Sequence, residues 1–109
     1  MHIETLRAYV LEKPSVTEGF PFGDTVLVFK VNNKMFLLIP LDVQPMQFNV
    51  KCLPDTAIEL REQFPEAVLP GYHMNKMHWN TIIANGILSN KKMLQMVDDS
   101  YALVAKTKA

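Results

Sequence analysis

The run Pro70-Gly71-Tyr72-His73-Met74-Asn75-Lys76-Met77-His78-Trp79-Asn80-Thr81 gathers most of the side chains here that could do chemistry: two histidines, Tyr72, Trp79 and two asparagines, with a lysine between them. Three chemistries compete for it. A metal site needs ligands at a spacing one element can present. His73 and His78 are five residues apart, off the i, i+4 step of helical zinc motifs, with no cysteine nearby and Glu66 the closest acid. Loop histidines that make hydrogen bonds are the expectation, with no metal and no cofactor. A catalytic centre needs a nucleophile or carboxylate beside the imidazole, and no Cys-His or Ser-His-Asp pattern is present. Cys52, on the apolar side of its strand, reads as a small buried hydrophobe. An enzyme is therefore not indicated.

The third chemistry is contact. Tyr72 and Trp79 can stack on a base while Lys76, Asn75, His73 and His78 address phosphates or base edges. The competing reading makes Tyr72 and Trp79 core or rim aromatics that anchor a long connection, since a lone tryptophan in a small domain usually packs. Both readings stay open. Charge bears on the choice. Lys and Arg number 11 and Asp and Glu number 11, so the chain is neutral and lacks the overall basicity of a dedicated nucleic-acid binder. Neutrality hides a local excess, however: residues 67–97 contain no acid while Lys76, Lys91 and Lys92 fall within them. Asp98-Asp99 reads as a solvated patch on the last helix.

The elements that must position this loop are legible by period. Ile3, Leu6 and Val10 form a helical stripe that Pro14 ends. Gly19 to Asp24 reads as turn-rich. Residues 25–31 and 34–41 are β-rich runs joined by Asn32-Asn33, a pair suited to positive φ and hence to a tight hairpin, with Lys30 and Lys34 near its tip. A simple register pairs Phe29 with Phe36 and Leu27 with Leu38 on one face, and Val28 with Leu37 and Val26 with Ile39 on the other. With both faces apolar, the hairpin is expected inside the sheet. A third strand, 47–52, alternates, with Phe48, Val50 and Cys52 on one face and Lys51 on the other. Pro54 opens a helix whose spaced residues are Ala57, Leu60, Arg61 and Phe64. Residues 66–78 read as a loop and Trp79 to Ala84 as a strand. Ser89 caps a last helix with Met93, Met96, Val97, Tyr101 and Val104 on its stripe. This order predicts one α+β domain spanning 1–109, with helices on one sheet face.

The remaining bounds are simple. Hydrophobic residues make up 49% and charged ones 20%, enough apolar surface for a core. One cysteine rules out an internal disulfide. The opening residues carry an early acid and no apolar run, so no signal peptide is expected, and the longest apolar run, Met35 to Leu41, is too short to span a bilayer. A cytoplasmic monomer without membrane contact is the expectation.

Phe20-Pro21-Phe22-Gly23, Lys34-Met35-Phe36, Val50-Lys51-Cys52 with Pro54, the block from Pro70 to Thr81, and Ser100-Tyr101-x-Leu103-Val104 occur in an order that resembles the MmcQ/YjbR family of small bacterial proteins. The likeness covers essentially the whole chain, and the Tyr72 to Thr81 block is its most specific part. Leu53 departs from the family pattern, which tends to carry Asp before the proline, and costs the second helix an N-cap. The resemblance implies a CyaY-like fold, a curved antiparallel sheet backed by helices. It also implies a non-enzymatic protein that contacts DNA through two hairpin-like wings, here the Lys30 to Lys34 tip and the loop from His73 to His78. The residues expected at DNA are Lys30, Lys34, Lys51, Tyr72, His73, Asn75, Lys76, His78 and Trp79, with weak, salt-sensitive binding. The alternative is a protein-interaction module built on residues 72–81. Frataxin-like iron binding does not carry over, because the first helix offers only Glu4 and Glu12 in place of an acidic ridge.

Overall fold

Nine elements form in the computed structural model, which describes residues 1–106: α1 (Ile3–Leu11), β1 (Val16–Gly19), β2 (Val26–Val31), β3 (Lys34–Pro40), β4 (Gln47–Lys51), α2 (Pro54–Gln63), β5 (Val68–Pro70), β6 (Trp79–Ile83) and α3 (Asn90–Ala105). The α+β expectation holds. All strand pairings are antiparallel, in the order β1-β2-β3-β4-β6-β5, which puts the β2–β3 hairpin inside the sheet. Asn32 and Asn33 make the tight turn at φ 52° and 66°. Pro54 opens α2 after Leu53, which supplies no side-chain cap, and the Ser89 side chain caps α3 by accepting from the Lys92 N–H at 3.0 Å.

β1 and β5 were not expected. Four and three residues long, they show too little alternation to read by period, and they exist because β2 and β6 offer open hydrogen-bonding edges. The hairpin register also differs from the simple one. Phe29 faces Leu37 and Leu27 faces Ile39, because a bulge leaves Phe36 as the extra residue on β3. The bulge turns Phe36 and Leu37, adjacent in sequence, both into the main core, where neither is exposed.

Ser100 of α3 holds that irregularity. Its hydroxyl accepts from the Lys51 N–H at 2.9 Å and donates to the Phe36 carbonyl at 2.6 Å, bridging β4 and β3 where the ladder opens. Tyr101 sets its ring edge-on to Phe36 at 5.4 Å and donates to the Pro14 carbonyl. Asp98, although partly exposed beside the exposed Asp99, is more than a solvated patch. It accepts from the Tyr9 hydroxyl on both oxygens, at 2.9 and 2.8 Å, and pairs with Lys13, tying α1 to α3. That hydrogen bond to Asp98, with burial, raises the Tyr9 hydroxyl above its ordinary pKa.

The helices cover one sheet face only. Leu6, Val10, Met93, Met96, Val97 and Val104 meet Leu27, Phe29, Phe36, Leu37, Ile39, Phe48, Val50, Val68 and Ile82 in the main core. The opposite face carries a smaller cluster of Val28, Leu38 and Trp79, edged by Val26, Met35 and Met74, with no helical residue in it. No helix among the described residues is long and apolar enough to cross a membrane.

Candidate nucleic-acid interface

Alternation along each strand decides which side chains reach the helix-free face. Because Phe48, Val50 and Ile82 enter the core, Asn49, Lys51, Trp79 and Thr81 stand on the other side, where register sets Lys51 opposite Trp79 and Asn49 opposite Thr81. On β2, Leu27, Phe29 and Val31 point to the helices, so Lys30 joins the open face beside Met35. Lys34 pairs with Val31 and therefore lies on the helix side of the tip, which separates the two tip lysines. The strands hold three lysines and one acid, Glu18, whose carboxylate is taken by Arg7 of α1 on the helix side. Arg7 keeps the Glu18 carboxyl below its ordinary pKa. The helices carry six acids against four cations. A neutral molecule is thus divided into an acid-rich helical layer and a sheet whose open face bears only positive charge.

The loop from Gly71 to His78 folds onto this face. Met74 packs against the Val28, Leu38 and Trp79 cluster, and the Tyr72 N–H donates to Thr81 Oγ1 at 3.0 Å. Thr81 in turn donates to Asn49 Oδ1, leaving the Asn49 NH2 with no partner among the described residues. The loop backbone closes on itself. The Gly71 N–H reaches the Trp79 carbonyl at 2.9 Å, the Lys76 ammonium donates to the Gly71 carbonyl at 3.0 Å, and Asn75 Oδ1 accepts from the Met77 N–H. Asn75 is therefore consumed in a turn. The His78 carbonyl accepts from the Cys52 N–H, joining the loop to the end of β4.

Arg61, read from sequence as one more residue of the α2 stripe, is the loop's anchor. Its Nε donates to Asn80 Oδ1 at 2.7 Å, and Nη2 donates to the Trp79 and Lys76 carbonyls. Asn80 is 1% exposed, and its amide donates onward to the Ala57 carbonyl. The available signal was an arginine among the apolar positions of a helix, where a charge must have buried partners.

Two aromatics then take different roles. Trp79 is 8% exposed and packs beneath the face, whereas Tyr72 is 69% exposed, its ring 3.9 Å from that of His73, whose φ of 57° turns it outward. Neither histidine's ring nitrogens have a hydrogen-bond partner among the described residues, and no three His, Cys, Asp or Glu side chains gather there. A cleft of about 260 Å³ opens on the helix side between α2 and α3, lined by Cys52, Leu53, Leu60, Met96, Asp99 and Leu103 among others. Burial, aided by Asp99, pushes the Cys52 thiol up, away from the thiolate a nucleophile needs.

Gly71 makes the tight corner of the loop possible. A Cβ there would sit 2.8 Å from Trp79 Cβ and 3.0 Å from both Met74 Cβ and the Trp79 carbonyl. Gly71→Ala is expected to cost about 1–3 kcal/mol through overpacking. Gly19→Ala, with open space around it, should cost far less. Urea unfolding of both variants checks this, and equal costs would contradict the close approach.

Three helices on one side of a six-stranded antiparallel sheet, with a lysine-bearing opposite face under a folded-back loop, define an open-faced α+β sandwich. The chain belongs to the YjbR family, whose model matches residues 11–103. It is 34% identical over 102 residues to the uncharacterized protein YbdF of Escherichia coli, an alignment covering 93% of this chain and 82% of that protein. The uncharacterized protein YjbR of Escherichia coli is 29% identical over 101 residues, 93% and 85% of the two chains. The crystal structure of Deinococcus radiodurans protein DR2400 superposes with a TM-score of 0.92 at 35% identity, over 96% of this chain and 79% of that one. A Pseudomonas syringae protein, at 24% identity and TM-score 0.77 over 95% and 99% of the chains, shares the fold.

Proposed function

We propose that this YjbR-family protein is a non-enzymatic binding protein that holds DNA weakly on the helix-free face of its sheet. The observation that carries the reading is the charge division. Lys30 and Lys51 are the only charged side chains that the strands place on that face, and the exposed Tyr72 and His73 stand on the loop that folds over it, anchored at Thr81. So few cations neutralise few phosphates, so affinity falls in the non-specific range, roughly 10⁻⁴ to 10⁻⁶ M, and drops steeply with salt. Lys34, on the helix side, and Lys76, whose ammonium also serves Gly71, are secondary contacts.

The test is fluorescence anisotropy with labelled DNA of several sequences at low ionic strength. Lys30→Ala with Lys51→Ala is expected to weaken binding to all sequences alike and to flatten the dependence of log K on log salt by about two. No binding at low salt, or binding indifferent to both lysines, would instead favour a protein partner meeting the loop. Leu69, Tyr72 and Met77 are the exposed apolar residues such a partner would cover.

A further inference from the structure

We propose that the strand held on the open face is unpaired, with one base lying on the Tyr72 ring; this rests on the DNA reading above and narrows it to single-stranded DNA. Tyr72 is 69% exposed and its ring is braced at 3.9 Å by His73. Its backbone is pinned by the bond from its N–H to Thr81 Oγ1. A fixed, outward aromatic is a stacking platform, and only a base freed from its duplex neighbours can occupy it. From Tyr72 the fixed groups run inward along the face. Thr81 leads to Asn49, whose unpartnered NH2 is a donor for a base edge, and then comes Lys51 one step along β4, with Lys30 two strands further across. Lys30 and Lys51 lie roughly 10 Å apart by strand spacing. That is a short track for one backbone and too few cations for the two backbones of a duplex. Between them on β3 lies Met35, partly exposed and apolar, which suits a base face better than a phosphate.

The experiment measures anisotropy of a labelled 20-residue oligothymidine and of a 20-base-pair duplex at the same low salt, with wild type, Tyr72→Ala and Tyr72→Phe. Wild type should bind the single strand about tenfold more tightly than the duplex. Tyr72→Ala should weaken the single strand roughly ten- to a hundredfold while leaving the duplex unchanged, and Tyr72→Phe should retain most of the affinity. Thermal melts confirm that the exposed substitutions leave folding intact. Duplex binding as tight as single-strand binding, or single-strand binding indifferent to Tyr72→Ala, overturns this inference and leaves the DNA reading standing. Binding to neither oligonucleotide removes the DNA reading, and this inference with it.

Discussion

Replacing Arg61 with alanine is expected to destabilise the protein by about 3 kcal/mol, since net losses per hydrogen bond to a charged group run near 1.5–3 kcal/mol and do not add fully. The guanidinium joins α2 to three acceptors on the loop and β6, and one of them, Asn80 Oδ1, sits on a side chain 1% exposed. Losing it strands a buried carbonyl oxygen and frees the loop at Lys76 and Trp79. The melting temperature should fall by roughly 10–20 °C for a chain of this size. Amide exchange should quicken first at residues 71–79, whose turn depends on that anchor. Arg61→Lys should recover only a minor part, because one ammonium cannot reproduce a planar fork serving three oxygens. A loss below about 1 kcal/mol in urea unfolding would show that the loop holds its shape without the arginine.

Ser100→Ala is expected to cost about 2–4 kcal/mol, although it removes a single oxygen atom. Most serine hydroxyls on helices are solvated and dispensable. This one is wholly buried and is the partner of both the Lys51 N–H and the Phe36 carbonyl. Alanine leaves a donor and an acceptor unpaired in the core, each costing about 1–3 kcal/mol. The gap is too small for a well-coordinated water to take the hydroxyl's place. Ser89→Ala supplies the comparison, because it deletes an exposed N-cap worth about 1 kcal/mol. Chemical denaturation of both variants decides the point. If Ser100→Ala costs no more than Ser89→Ala, the bulge at Phe36 does not depend on the hydroxyl.

These two residues also mark the line between what period reveals and what packing decides. Arg61 sits three and four residues from Ile58 and Ala57 on α2, and its place among apolar positions says that it has partners without saying which ones. Its role appears only when β6 and the loop arrive beside it. Ser100 interrupts an apolar stripe, and its partner Phe36 is sixty-four residues away. The bulge that carries Phe36 off the simple register is met by that distant bond, and the sequence of the hairpin alone predicts the wrong cross-strand partners.

Local signals were sufficient wherever an element's own residues carry its energetics. Asn32-Asn33 tolerates the positive φ of a tight turn, Pro54 and Ser89 open their helices, and runs 26–31 and 34–40 are apolar enough to be interior strands. The lysines and the Tyr72 to Thr81 block were likewise visible as types and spacings. Their division was not. With both hairpin faces apolar, only packing decides that Lys34 shares the helix side with Val31 while Lys30 joins the open face, and only the folded-back loop buries Trp79 while leaving Tyr72 exposed. A strand's side chains alternate with a period of two, so each face assignment hangs on pairing partners far along the chain. Residue chemistry along the chain therefore determined which groups were available, and only the tertiary structure decided which of them share a surface.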